Sequence, residues 1–178
     1  LLWLTPLDTE KRVGRKAGIT RDDVINTAAM LADRDGLAEV SLAGIAAELG
    51  VRSPSLYAHT DGLADVRREL TLRGAARLGL ALDTASRGSR GEAALKRLAA
   101  AYREFALQHP GLYAAAQQAQ RAEQDPVVTA ALDAAVQPAL RALAGVGVPP
   151  ARLVHVARVF RSALHGFVEL ERGGGFGL

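Results

Sequence analysis

The stretch from Ser41 to Thr60, SLAGIAAELGVRSPSLYAHT, narrows what this chain can fold into more than any other. Ile45, Ala46 and Leu49 recur at helical spacing. Gly50 ends that helix, because glycine takes the left-handed backbone of a C-terminal cap. Val51 is apolar inside the turn, Leu56 and Tyr57 open a second apolar face, and small Ala46 lets another helix cross closely. Two short helices joined this tightly make a helix-turn-helix, whose second helix lies in the major groove of double-stranded DNA. Ser41 caps the first helix. Ser53 is placed to cap the second, with Pro54 at its first position, where the missing N–H costs nothing. Arg52, Ser53, Ser55 and the helix N-terminus are then exposed together to base edges and phosphates. Tyr57 and His59 lie two apart, and each can donate to a phosphate oxygen.

The flanks agree with that reading. Residues 1–19 read as an arm, with Lys11, Arg12, Arg15 and Lys16 spaced by Gly14 and Gly18 and no helical periodicity. A basic arm directly before a DNA-binding unit reaches phosphates or the minor groove. Thr20 caps the next helix, Asp22 and Asp23 complement its dipole, Val24, Ala28 and Leu31 form its buried stripe, and Gly36 stops it. Residues 37–40 read as a linker.

Residues 20–70 resemble the DNA-binding head of the tetracycline-repressor (TetR) family: a capped first helix, then SLAGIAAELGV, then SPSLYAHTDGLADV entering a long helix. The resemblance implies that Arg52, Ser53, Pro54 and Ser55 face the major groove and that Tyr57 and His59 hold phosphates. It also implies that Ser41 and Ala43 approach the DNA, and Thr20, Arg15 and Lys16 complete the expected contact set. There are two departures. Thr60 stands where a large apolar residue usually follows the signature histidine, and Leu63 stands where a lysine commonly meets a phosphate. The loss of one phosphate contact lowers the salt slope of binding by about one. Residues 10–77 hold 11 Lys or Arg against 10 Asp or Glu, so the head is only +1. Its basicity must be local, with Asp33, Asp35 and Glu39 turned from the DNA. A homodimer on a palindromic operator, with half-sites about one helical turn apart, doubles the contacts.

Beyond the head nothing reads as a strand, so the chain is expected to be all-α. A helix over 63–82 carries Val66, Leu70, Leu78 and Leu82 inside, with Arg67, Arg68, Arg73 and Arg77 on a solvated face. TASRGSRG, 84–91, reads as a loop between head and body. A helix over 91–109 with the stripe Leu95, Leu98, Tyr102 and Phe105 ends at Pro110 and Gly111. Leu112 and Tyr113 start a short helix to Gln120, and Asp125 and Pro126 open another to about Ala144 with Pro138 as a kink or break. Gly145 to Pro150 is a loop. The last helix, 151–171, carries Leu153, Val156, Phe160, Leu164 and Phe167 on one stripe.

Most of the aromatic residues lie in this body, which makes it the place for a small-molecule cavity of apolar walls with a few polar groups. The expected effector set is Tyr102, Phe105, His109, Tyr113, Gln117, Phe160, Leu164, His165 and Phe167, with Gln118 as a further polar candidate. Gly166 in mid-helix predicts the close approach of another helix. Leu164, His165 and Gly166 resemble the Trp-His-Gly triplet of a TetR-type C-terminal domain, with Leu164 departing from the Trp. That resemblance puts the segment near the dimer interface and cavity; proteins of that kind usually continue into a further helix, which is expected to be either missing from this chain or never part of it. The chain begins without Met, so its natural start is expected elsewhere.

The chain has 178 residues, 49% of them hydrophobic, a formal charge of +3 and a pI near 9.7, which permits nucleic-acid binding. Cysteine is absent, which fits a reducing cytoplasm. No uninterrupted apolar run approaches about 18 residues, so no membrane span is expected. The four histidines lack i, i+4 pairing and no HExxH, G-x-S-x-G elbow or P-loop occurs, so neither metal, cofactor nor enzyme chemistry is expected. The expected organisation is an arm at 1–19, a DNA-binding head at 20–62 and an effector-binding, dimerising body at 63–178. The function expected is transcriptional regulation, by repression that a small molecule relieves. The alternative is a helical ligand-binding or adaptor protein with a degenerate head.

Overall fold

The computed structural model describes residues 18–118 and 125–177, and Arg15, Lys16 and Gln120 lie outside them. The described residues form helices and turns with no strand. Helix α1 spans Arg21–Asp35. The Thr20 hydroxyl accepts the Asp23 N–H at 3.1 Å while the Asp23 carboxylate accepts the Thr20 N–H at 2.8 Å, a reciprocal capping box. Gly36, at φ 101°, ends the helix. The expected linker is a 3-10 turn, Leu37–Glu39, that buries Leu37. Helix α2 spans Leu42–Leu49, with the Ser41 hydroxyl accepting the Gly44 N–H at 3.1 Å and Gly50 left-handed at φ 66°.

The recognition segment Ser53–Ala58 is 3-10 rather than α. Ser53 is not its cap: Arg52 holds that position in extended conformation, and its carbonyl accepts the Ser55 N–H at 2.9 Å. The tighter i→i+3 bond draws Ser53 into the helix itself. Helix α3, Leu63–Ser86, outruns its expected end, and in its last turn the Ser86 hydroxyl donates to the Leu82 carbonyl at 2.9 Å. Helix α4 is Gly91–Gln108. Pro110 and Gly111 do more than end it, since they are the first residues of α5, Pro110–Gln118. Helix α6, Pro126–Gly145, runs unbroken through Pro138, and the Asp125 carboxylate accepts the N–H groups of Val127 and Val128 at 3.0 and 3.2 Å. Helix α7 is Pro150–Arg172.

One continuous core joins head and body. Val24, Ile45 and Leu56 meet Val66 and Leu70 of α3, which continue through Leu78 to Leu98, Phe105 and Leu112. The long α3 is the spine, packed on α1, α4, α5 and α6. Two of its glycines are required by close crossings. A Cβ at Gly74 would lie 2.3 Å from the Leu112 carbonyl oxygen, and one at Gly79 would lie 3.0 Å from Ala135 Cα. Two of the α3 arginines expected on a solvated face instead tie elements together. Arg68 Nε donates to Asp125 at 2.5 Å, and Arg73 donates to Asn26 and Asp22 of α1 at 2.6 and 2.7 Å.

Helix α7 packs only lightly on its own chain. Ala157 and Val168 are its buried residues, while Phe167 is 50% exposed. Nothing lies within 4 Å of a Cβ placed on Gly166, so the helix expected to approach it is not part of the described chain. Helix α6 is an apolar helix of the body. An 18-residue window of this 20-residue helix reaches a mean hydropathy of 1.3, enough by length and composition to cross a membrane. It carries Asp133 and Arg141, however, and packs against α3, α4 and α7 as a body helix.

Candidate nucleic-acid interface and effector cavity

Leu56 is fully buried between exposed Ser55 and Tyr57, so one apolar anchor turns the residues around it outward. Tyr57 is 63% exposed, and Ser41, Ala43, Arg52, Pro54 and Ser55 are exposed with it; Ser53 and His59 are half-buried. The rear of this face is held by a polar cluster that replaces apolar packing. Thr60 is 4% exposed, and its hydroxyl donates to the Asp65 carboxylate at 2.8 Å. Asp65 also takes a two-pronged bond from the Arg21 guanidinium at 2.7 and 2.8 Å and the Asp61 N–H at 3.2 Å. Arg21 and these donors hold its carboxyl well below the usual carboxylate range. Arg21 further donates to the His59 carbonyl at 2.8 Å, so the end of the recognition segment is fastened to the start of α1.

Thr20, expected at the DNA, has its hydroxyl directed to Asp23 at 2.7 Å. That hydroxyl and the Thr20 N–H lower the Asp23 carboxyl, with a smaller contribution from His59. Leu63 packs partly buried against the core, as its missing charge allows.

The body holds a cavity of about 560 Å³ between α3, α4, α5, α6 and α7. Of the residues expected around an effector, Tyr102, Gln117, Phe160 and Leu164 line it. Five others do not. Phe105 is buried in the core against the His109 ring, 5.3 Å away, and His109 lies 3.5 Å from Asp33 at the head. Tyr113 and His165 stand behind the wall, joined at 2.5 Å, and Phe167 stacks outside on Phe176.

Sequence reasoning missed Arg161, Arg158, Asp133 and Gln137, which also line the cavity. The i, i+3 spacing of Arg158 and Arg161 and the i, i+4 spacing of Asp133 and Gln137 were legible, but not the side of each helix that faces inward. Gln117 Nε2 donates to the Tyr102 hydroxyl at 2.7 Å, and Arg161 donates to Gln117 Oε1. Tyr102 and Tyr113 share a hydrogen bond of 3.2 Å, with their rings edge to face. Burial pushes both phenols above their ordinary range, so both are protonated donors at neutral pH.

Helix α5 links the two sites. Its first turn sits on α1, where the Asp33 carboxylate accepts the Gly111 and Leu112 N–H groups at 2.7 and 3.4 Å. Its last residues reach the cavity wall at Ala116 and Gln117. Among the described residues no cluster of His, Cys, Asp or Glu is arranged to hold a metal.

Comparison with known proteins places this architecture. Residues 95–178 match the model of the tetracyclin repressor-like C-terminal domain. The chain is 35% identical to Rv0681, an uncharacterised HTH-type transcriptional regulator of Mycobacterium tuberculosis, over 92% of this chain and 75% of that protein. It is 34% identical to YobS, another uncharacterised regulator of this type from Bacillus subtilis, over 87% of this chain and 80% of that protein. Among solved structures, a Rhodococcus protein of unknown function superposes with a TM-score of 0.79 at 26% identity, covering 92% and 88% of the two chains. PfmR, a TetR family transcriptional regulator from Thermus thermophilus, shares the fold with a TM-score of 0.66 at 20% identity over 86% of each chain. The capped helix-turn-helix, the helical body and these relatives together make the chain a member of the TetR family of transcriptional regulators.

Proposed function

We propose that this regulator is a cytoplasmic homodimeric repressor that binds a palindromic operator and leaves it when a small molecule enters the body cavity. The observation that carries the DNA half is the exposure of Tyr57, Arg52 and Ser55 around the buried Leu56 anchor. Arg52 and Ser55, with Ser53 and Pro54, read base edges; Tyr57, His59, Ser41 and Ala43 set the register on phosphates, and Arg15 and Lys16 add the arm. Residues 20–62 act as the head and 63–178 as the body. The outward face of α7, with Val159, Phe167 and Leu170 exposed, supports pairing with a second copy through this helix.

The effector half rests on the cavity, which is large enough for a drug-sized molecule. A ligand relieves repression only by preferring the state that does not bind DNA; hundredfold induction requires about 2.7 kcal/mol of differential affinity.

The test is selection of bound fragments from genomic DNA, followed by mobility shift of the best fragment at two salt concentrations. Salt-dependent binding that falls at least tenfold in Arg52→Ala and Tyr57→Ala, with unchanged thermal stability, supports the reading. Absence of salt-dependent binding by the intact protein refutes it in favour of a ligand-binding protein with a degenerate head.

A further inference from the structure

We infer that the cavity receives an amphipathic molecule with an aliphatic body and one anionic head, and that the head takes the place Gln117 Oε1 holds on the Arg161 guanidinium. The inference rests on the reading of this cavity as the effector site. It follows from how polarity is distributed around the walls. Leu78, Leu82, Leu98, Leu132, Val136 and Leu140 present only aliphatic surface. Such walls reward a hydrocarbon body in proportion to the area it buries and offer it no hydrogen bond.

Thr129, Asp133, Gln137 and Arg158 also line the cavity, and against the aliphatic surface a hydrogen-bonded polar corner is assembled from three helices. Tyr102 comes from α4, Gln117 from α5 and Arg161 from α7, and all three line the cavity. They are already joined, with Arg161 donating to Gln117 Oε1 and Gln117 Nε2 donating to Tyr102. The carboxamide oxygen is thus an internal acceptor on a guanidinium. It is a weak one, because it is neutral and presents a single oxygen to a planar fork of donors. A carboxylate presents two oxygens in the geometry of that fork, and its hydrogen bonds are charge-assisted, roughly twice as strong as neutral ones. The exchange concerns the Gln117 bond alone, and the other contacts of Arg161 stay in place.

Displacement of Gln117 would be felt along α5, whose nine residues run from the cavity wall to the Asp33 carboxylate on α1. The bond that a ligand head replaces is therefore one that positions the helix touching the DNA-binding head.

The experiment uses the whole chain and a neutral fluorescent probe, N-phenyl-1-naphthylamine, displaced by decanoate, decan-1-ol or decyltrimethylammonium. Decanoate is expected to displace the probe about tenfold better than the alcohol, as one charge-assisted bond requires, and the cation worst. Arg161→Met should erase the preference for carboxylate over alcohol while the probe still binds. Gln117→Leu should strengthen decanoate binding, because the internal competitor is gone; a merely structural Gln117 would weaken it. Equal affinities of decanoate and decanol, or an unchanged ratio in Arg161→Met, overturn the inference and leave the cavity reading standing. Failure of the probe and all three ligands to bind overturns the cavity reading beneath it.

Discussion

The Asp33 carboxylate, near the end of α1, accepts the Gly111 N–H at 2.7 Å across 78 residues of sequence and so caps a helix that belongs to the body. A side chain of the head thus satisfies the orphan donors at the start of α5, an end that Pro110 leaves with one N–H fewer. The joint is tight as well as polar, since a Cβ on Gly111 would lie 2.3 Å from the Ala32 carbonyl carbon.

Asp33→Ala is expected to destabilise the protein by about 1 to 2 kcal/mol, the usual effect of losing a cap. For a chain of this size each kcal/mol lowers the melting temperature by about 2 to 4 °C. Hydrogen exchange should quicken first at Gly111 and Leu112. Unchanged exchange there would refute the capping role.

Gly111→Ala should be more damaging than an ordinary glycine-to-alanine change in a helix, which normally stabilises. Here the added methyl meets backbone, not a flexible side chain, at a cost of about 1 to 3 kcal/mol. Gly166→Ala is the control: it has open space in the chain and should raise the melting temperature of the isolated protomer.

Asp65 makes stability depend on acid pH. Its folded-state carboxyl lies well below the usual range because of Arg21, Thr60 and the Asp61 N–H, so the unfolded chain takes up the proton first as pH falls. The contribution is complete above the ordinary carboxylate pKa near 4 and is lost as pH drops through the folded value. Asp65→Asn should therefore cost about 1 to 2 kcal/mol at pH 7, a figure that allows for screening at half-exposed Arg21. Wild type and variant should converge in denaturant titrations at strongly acid pH, whereas a pH-independent difference would show that the charge is irrelevant.

Val159→Glu combined with Phe167→Glu places two charges on the exposed apolar face of α7. If that face joins two copies, sedimentation should show a protomer in place of a dimer, and operator affinity should fall by at least an order of magnitude as the second head is lost. A dimer that survives both substitutions moves the interface elsewhere.

Much of the fold was legible locally. Thr20, Ser41, Asp125, Gly36 and Gly50 mark helix ends by chemistry acting within four residues, and each stands at the end it signalled. The errors fell where neighbours in space decide. Pro138 reads as a kink or break, and the break does not occur: it lies within an unbroken helix whose buried face includes the proline itself. Arg68 and Arg73 look solvated in sequence because Asp125, Asn26 and Asp22 are between 47 and 57 residues away.

Of the expected cavity residues, the aromatic rule selected Tyr102 and Phe160 correctly as wall, but also Phe105 and Tyr113, which are core and backing. Helical spacing names the apolar face of a helix; it does not say which part of that face meets another helix and which meets empty space.

What the sequence determined by itself is the order of helices and the recognition motif, because periodicity, caps and the turn at Gly50 act through bonds a few residues long. The tertiary structure alone decided that α5 is held at one end by Asp33 and at the other by Tyr102 and Arg161. Those contacts depend on how α3 brings distant segments together, and no local pattern records such an arrangement.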